Sequence, residues 1–324
     1  MNGPEASSRE IDRAVAILRA GGLVAFPTET VYGLGADAAN AEAVRRIFAA
    51  KGRPADHPVI VHLADGAALA SWARDVPRAA YALAAAFWPG PLTLILRRAP
   101  HVSDVVTGGQ DTVGLRVPSH PVAQRLLQAF GGGIAAPSAN RFGRISPTTA
   151  AHVRAELGDR VDLVLDGGQS EVGIESTIVD LSGAAARLLR PGMILPAQLE
   201  AVLGVPLTTD ATGAPRASGM LASHYAPAKP LRLVPGRVLD AAVAAAGARC
   251  AVLAFRAPTG PVRVWLEAPA DPVRYAHDLY AQLRTLDASD AAEILVEEVP
   301  ADPLWAAVRD RLQRAAARED TTDT

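Results

Sequence analysis

The chain of 324 residues holds one cysteine, Cys250, which excludes an internal disulfide, and no Cys/His cluster has zinc-site spacing. Both absences suit a reducing cytosol. Basic excess is missing too: 32 Lys and Arg face 34 Asp and Glu, for a net charge of −2, so no uniformly basic surface can hold nucleic acid by phosphate contacts alone. Any RNA contact would need a local patch. No stretch reaches the roughly 18 uninterrupted apolar residues of a membrane span, and the N-terminal MNGPEASSREIDRAV lacks a signal peptide's apolar core. A cytoplasmic protein without membrane contact is the expectation. The common signature loops are lacking as well: no Gly-x-x-x-x-Gly-Lys-Ser/Thr, no Gly-x-Gly-x-x-Gly after a strand, no Gly-x-Ser-x-Gly elbow, no His-Glu-x-x-His pair and no EF-hand loop. A nucleotide site would need another design.

What is present is a globular composition, 49% hydrophobic and 20% charged, at a length that predicts two domains. Residues 8–20 place Ile11, Val15 and Leu18 at helical spacing behind a serine cap, and Gly21-Gly22 ends that helix before the apolar run LVAF. Alternation continues with helices near 41–50, 66–73, 77–87, 121–129, 148–157 and 196–203. Strands are expected near 58–63, 92–96, 112–117, 133–136, 162–166, 176–181 and 187–190. This argues for an α/β sheet covered on its faces. PLTTDATGAPRASGM then reads as a linker. A second α/β pattern follows, with apolar runs at 231–234, 251–255, 262–266 and 293–297 and helices at 237–246 and 272–286.

Six segments lodge polar residues in apolar or turn-forming surroundings. FPTETVYGLGADA (26–38) puts Thr28, Glu29, Thr30 and Tyr32 directly after a strand, a spot for a small polar ligand, although a threonine-rich turn capping a helix would look the same. KGRPADHPVIVH (51–62) sets Lys51 and Arg53 in a Pro-restrained loop; the pair suits a polyphosphate, and equally a helix C-terminus that favours cations. In DTVGLRVPSHP (111–121) Arg116 interrupts an apolar strand, so it faces either a site or a buried carboxylate. GIAAPSANRFGRISPTTAAHV (133–153) follows a strand with Ser138 and Asn140, two apart, while Arg141, Arg144 and Ser146 line the loop before a helix. GIESTIVDL and LLRPGMI (173–181 and 188–194) bring Ser176 and Thr177 to a strand start and Arg190 to a strand end; alternation explains Thr177 and Asp180 equally well as solvent-facing positions. SGMLASHYAP (218–227) places His224 and Tyr225 where a linker should be featureless, as a lid would.

Together these segments resemble the YrdC-like family of threonylcarbamoyl-AMP synthases in its two-domain form. The likeness is dense over residues 10–200, and His224-Tyr225-Ala226-Pro227 matches the linker signature. It implies a large, twisted, open mixed sheet with helices over 8–204, a linker or lid over 205–230, a small Rossmann-like α/β domain over 231–318 and a flexible tail at 319–324. It further implies that L-threonine, bicarbonate or carbon dioxide, and ATP with Mg²⁺ yield threonylcarbamoyl-adenylate and pyrophosphate. Downstream transfer proteins would pass the threonylcarbamoyl group to the adenosine beside the anticodon in tRNAs reading A-starting codons, with direct tRNA contact left open.

The resemblance carries the family's catalytic signature onto Lys51, Arg53, Ser138 and Asn140. Threonine recognition falls on Thr30, His62, Arg116, the backbone near Ala136, and Ser176; ATP contacts fall on Arg53, His57, Thr112, Ser138, Ser146, Arg190 and Tyr225. His57 departs from the family's usual Asn. No protein ligand for Mg²⁺ emerges, so phosphate and water would form its shell. One alternative is a non-catalytic RNA-binding or ribosome-associated YrdC-like protein using Lys51, Arg53, Arg141 and Arg144. Another, a carbamoyl-transfer enzyme of hydrogenase maturation, would carry zinc-finger cysteines, and this chain has only Cys250.

Overall fold

A computed structural model describes residues 6–210 and 212–317; the tail expected at 319–324 lies outside them. Up to Phe142 and again over Pro147–Met220 the chain packs as one unit, and Gly143–Ser146 packs with the residues from Leu221 onward as a second.

The first unit contains α1 (Ser8–Arg19), β1 (Val24–Phe26), β2 (Gly33–Asp37), α2 (Ala41–Lys51), β3 (Ile60–His62), α3 (Leu69–Trp72), α4 (Arg78–Phe87) and β4 (Leu92–Arg97). It continues with α5 (Asp104–Thr107), β5 (Thr112–Arg116), α6 (Pro121–Phe130), β6 (Ile134–Ala135), α7 (Ala150–Leu157), β7 (Leu163–Val164), β8 (Thr177–Asp180), β9 (Arg187–Arg190) and α8 (Pro196–Leu203). The strands form one mixed sheet in the order β7-β1-β2-β6-β3-β5-β4-β8-β9.

Local chemistry sets the element ends. Ser7 and Glu10 close a capping box on α1, and the Asn40 side chain accepts from two amides at the start of α2. Helix α2 stops at Gly52, which takes a left-handed φ of +62° and turns the chain so that Lys51 ends the helix and Arg53 starts the next loop.

Alternation along the strands gives the sheet two faces. Ala25, Leu34, Val61, Leu94, Leu115, Ala135 and Val179 join one core with Ile47 and Phe48 of α2, Leu83 of α4 and Leu199 of α8. On the opposite face Val24, Phe26 and Ile134 pack under Leu18 of α1 and Leu126 of α6. Farther along that face Ile95, Ile178 and Leu189 are covered by Ala214, Ala217 and Met220. Between these covers lie His62, Arg116, Gly114 and Thr93, on the face opposite Val61, Leu115 and Leu94. Buried polar side chains therefore interrupt the apolar residues of this face.

Two expectations need correction here. Residues 33–37 form β2, which the two glycines of GLGAD hid behind a turn-like composition; Gly35 leaves space filled by the Phe26 ring, since a Cβ there would come within 2.8 Å of Phe26 Cε1. Thr177 and Asp180 are buried, not solvent-facing, because β8 is an interior strand covered on both sides. The Thr177 hydroxyl instead donates to Ile194 O at 3.1 Å.

The second unit holds β10 (Leu231–Val234), α9 (Leu239–Ala246), β11 (Cys250–Ala254), β12 (Val264–Glu267), α10 (Pro272–Ala288), β13 (Glu293–Glu297) and α11 (Ala306–Ala316). Its four strands, ordered β10-β13-β11-β12, are all parallel. Strand β11 is buried throughout, as a parallel strand covered on both faces should be. Cys250 is part of that core. Helix α11 was not expected: its buried residues Ala307, Val308, Leu312 and Ala315 are mostly small, and Arg311, fully buried, interrupts the apolar stripe. Arg311 pairs with Asp310 and lies 5.3 Å from the Tyr225 ring.

Candidate active site

Several residues singled out in the sequence are buried in the first unit and contact one another. Lys51, buried at the end of α2, donates to the carbonyls of Ser138 and Asn140, and its own carbonyl accepts from Phe142 N at 2.8 Å. This lysine pins the Pro-Ser-Ala-Asn loop to the end of α2. Burial, and then the charge of Arg53, pushes the Lys51 ammonium well below the usual lysine range, against the attraction of Glu156. Ser138 is half-buried and Asn140 buried.

Arg53 donates through Nη2 to Pro58 O at 2.7 Å and to Ser218 Oγ at 3.5 Å. Arg190 donates through Nη1 to Ser218 O at 2.8 Å, through Nε to Ser176 O at 3.0 Å and through Nη2 to Ser176 Oγ at 3.1 Å. The Ser176 hydroxyl also meets Thr93 Oγ1 at 2.8 Å. One continuous chain of contacts therefore links Arg53, Ser218, Arg190, Ser176 and Thr93. Ser218 was not assigned a role in the sequence reading. Residues 205–220, read there as linker, pack with the first unit, held by Gln110 and Asp56 through Arg216.

Arg116 has a different partner. Its Nη2 donates to Glu29 Oε1 at 2.7 Å, with the two side chains only 5% and 3% exposed. Its Nε reaches Gly90 O at 3.4 Å, and Glu29 Oε2 accepts from Ser119 N at 3.0 Å. Of the two readings of Arg116, the buried carboxylate is present. His62 sits beside Arg116 in the β3–β5 register, edge-on to Phe26. Burial, and then the charge of Arg116, lowers His62 to about 3, so its ring is neutral at physiological pH. Its buried Nδ1 has no hydrogen-bond partner among the described residues.

Other candidates surround these groups. Buried Thr30 meets Thr28 Oγ1 at 2.9 Å, and Ala136 N is occupied by Ile60 O at 2.9 Å. Thr112 begins β5 on the face shared with Gly114 and Arg116. His57, half-buried, packs edge-on to Phe142 at 5.3 Å, whose ring also lies 5.9 Å from the Arg53 guanidinium. Burial, then Arg53, lowers the His57 imidazole below its ordinary value. Ser146 and Tyr225 belong to the second unit.

The four cations of the RNA-binding alternative are buried or paired. Lys51 and Arg53 are buried, Arg141 faces Glu156 at 3.5 Å, and Arg144 belongs to the second unit, where it meets Asp287 at 3.4 Å. Among the described residues no helix is long and apolar enough to cross a membrane.

The chain has known relatives. A family model described as "Telomere recombination" matches residues 16–192, and one described as "Threonylcarbamoyl-AMP synthase, C-terminal domain" matches residues 194–317. A Pyrococcus abyssi protein named threonylcarbamoyl-AMP synthase is 38% identical over 317 residues, covering 94% of this chain and 93% of its own. The Bacillus subtilis protein of the same name is 40% identical over 328 residues, covering 95% and 93%. The crystal structure of P. abyssi Sua5 complexed with L-threonine superposes with a TM-score of 0.88 at 38% identity, covering 96% of this chain and 95% of that one. The chain belongs to the threonylcarbamoyl-AMP synthase family, in the form with the additional C-terminal domain.

Proposed function

We propose that the protein makes L-threonylcarbamoyl-adenylate from L-threonine, bicarbonate or carbon dioxide, and ATP, with release of pyrophosphate; the adenylate then supplies the threonylcarbamoyl modification of tRNA. The observation that carries this reading is the single chain of contacts joining Arg53, Ser218, Arg190 and Ser176, next to the Arg116–His62 pair of strand ends. Cations suited to a triphosphate thus connect, through Ser176 and Thr93 of β4, to the strand beside a buried arginine suited to an amino-acid carboxylate.

The chemistry needs no protein nucleophile. The threonine amine captures carbon dioxide as a carbamate, whose oxygen attacks the α-phosphate as pyrophosphate leaves. Negative charge accumulates on phosphate oxygens, where the guanidinium groups of Arg53 and Arg190 stabilise it. Lys51 holds the Ser138–Asn140 loop at the site's edge through two carbonyls, so that Ser138 and Asn140 can orient phosphate. Arg116 takes the threonine carboxylate, and neutral His62 adds no charge that would repel the ammonium group. Among the described residues no three His, Cys, Asp or Glu side chains cluster to hold a metal ion; Mg²⁺ would ride on phosphate oxygens and water and neutralise their charge when bound.

The test is pyrophosphate release by the purified chain. Release that requires threonine and bicarbonate together, with threonylcarbamoyl-adenylate identified by mass spectrometry, is the expected result. Release independent of either, or none at all with folded protein and Mg²⁺-ATP, would defeat the reading.

A further inference from the structure

Glu29 has no part in the assignments above, yet it is the buried counter-charge of Arg116. Three contacts fix it: the Arg116 guanidinium at 2.7 Å, the Ser119 amide at 3.0 Å, and its own carbonyl accepting from Val172 N at 2.7 Å. Both carboxylate oxygens are thereby used, and the residue is held from β5's exit loop and from the loop before β8. The neighbouring His62 is uncharged at neutral pH.

We propose that Glu29 is a positioning and charge-selecting residue. It aims the Arg116 fork at the amino-acid carboxylate and cancels the fork's charge, so that this end of the site accepts a zwitterion in preference to a monoanion. The inference rests on the functional reading above, which places threonine at Arg116. A guanidinium alone in a buried site would attract any small carboxylate strongly; a neutral guanidinium–carboxylate pair keeps the geometry of the fork but returns selectivity to a ligand that brings its own positive charge. The nearby carboxylate also favours that ligand's ammonium group over an uncharged substituent.

The probes are L-threonine and 3-hydroxybutanoate, which is threonine without its ammonium group, the latter used as a competitive inhibitor of threonine-dependent pyrophosphate release. In Glu29→Gln the threonine KM is expected to rise about 10-fold or more while 3-hydroxybutanoate binds better, and the KM for ATP stays within about 2-fold. Glu29→Asp keeps the charge but shortens the reach, so it should weaken threonine binding with the ratio of the two affinities close to the native one. A merely structural Glu29 would move both ligands and ATP together. The proposal is overturned if the Gln variant folds and leaves the threonine to 3-hydroxybutanoate ratio unchanged, or if the Asp and Gln variants shift it equally. Should the Gln variant not fold, the native protein decides: 3-hydroxybutanoate binding as tightly as threonine overturns it, and binding at least about 10-fold weaker supports it. A native protein that releases no threonine-dependent pyrophosphate would instead sink the functional reading itself.

Discussion

Two regions of the first unit solve the problem of a buried cation differently. Arg116 meets a carboxylate, Glu29, in a pair almost closed to solvent. Lys51, Arg53 and Arg190 instead donate to carbonyl and hydroxyl oxygens of Ser138, Asn140, Pro58, Ser176 and Ser218. A carbonyl or hydroxyl orients a cation without cancelling its charge, whereas a carboxylate does both. The first arrangement fits a ligand with no net charge, and the second fits a polyanion. Under the proposed function the first would take the amino acid and the second the triphosphate.

The sharpest way to break this comparison is to delete one cation from each region. Arg53→Ala should lower kcat/KM for ATP by about 100- to 1000-fold, the usual loss on removing one transition-state charge donor, while thermal unfolding changes little, because Pro58 O keeps the Ser218 hydroxyl as a donor at 3.0 Å. Arg116→Ala should do the reverse in stability: it strands the Glu29 carboxylate in the interior, and unfolding free energy in urea should fall by about 3–5 kcal/mol. If Arg53→Ala unfolds the protein and Arg116→Ala does not, the two regions have been described the wrong way round.

Lys51 lies between these extremes. Its ammonium supplies donors to two carbonyls, and an orphaned buried acceptor costs about 1–3 kcal/mol. Lys51→Ala should therefore lose both stability and turnover, unlike Arg53→Ala. Parallel kinetic and denaturant measurements on the two variants separate loop anchoring from phosphate contact; equal melting points would remove the anchoring role.

Much of this was readable in the residues. The alternation of strands and helices placed nearly every element, and Arg116 announced a buried partner because a guanidinium cannot sit alone in an apolar strand. Which acid answered it was not readable, since Glu29 is distant in sequence and only the sheet order β2-β6-β3-β5 brings its loop across. Ser218 was hidden for the same reason: PRASGM has the composition of a linker, but its contacts are to Pro58, Arg53 and Arg190. Helix α11 escaped because a stripe of alanines around a buried arginine carries little periodic signal. Composition reports what a segment could do alone, and these three are determined by what lies against them.

His62 tests the neutral region by pH. Its folded value of about 3 lies below the ordinary 6.5, so the unfolded chain binds the proton more readily than the folded one. The stability this group contributes is complete above pH 6.5 and is lost as pH falls toward 3, at about 1.4 kcal/mol per unit. His120 is lowered too, chiefly by burial, and adds to the same slope. Urea unfolding at pH 6.5 and 5 should show His62→Gln losing about 2 kcal/mol less than the native chain over that interval. Identical slopes would mean that the imidazole is not held neutral.

The smallest expected effect concerns the floor between the two regions. Gly114 lies on β5 between Thr112 and Arg116, and a Cβ there would stand 3.2 Å from Ile95 Cδ1, 3.4 Å from Ile60 Cγ1 and 3.6 Å from Thr93 Cγ2. These neighbours are side-chain ends that can shift by tenths of an ångström, and no left-handed φ is required of this glycine. Gly114→Ala should therefore change stability by under about 1 kcal/mol in either direction, the methyl's strain offset by the lost backbone freedom of glycine in the unfolded chain. The methyl would nevertheless stand on the strand between Thr112 and Arg116, the proposed ATP and threonine contacts. If substrates lie across that floor, KM for both threonine and ATP should increase several-fold together, about 1 kcal/mol each, without a change in which amino acid is used. A Gly114→Ala enzyme with native KM values would show that the ligands pass elsewhere, and the contrast between a neutral and a cationic region would then describe the resting protein rather than its complex.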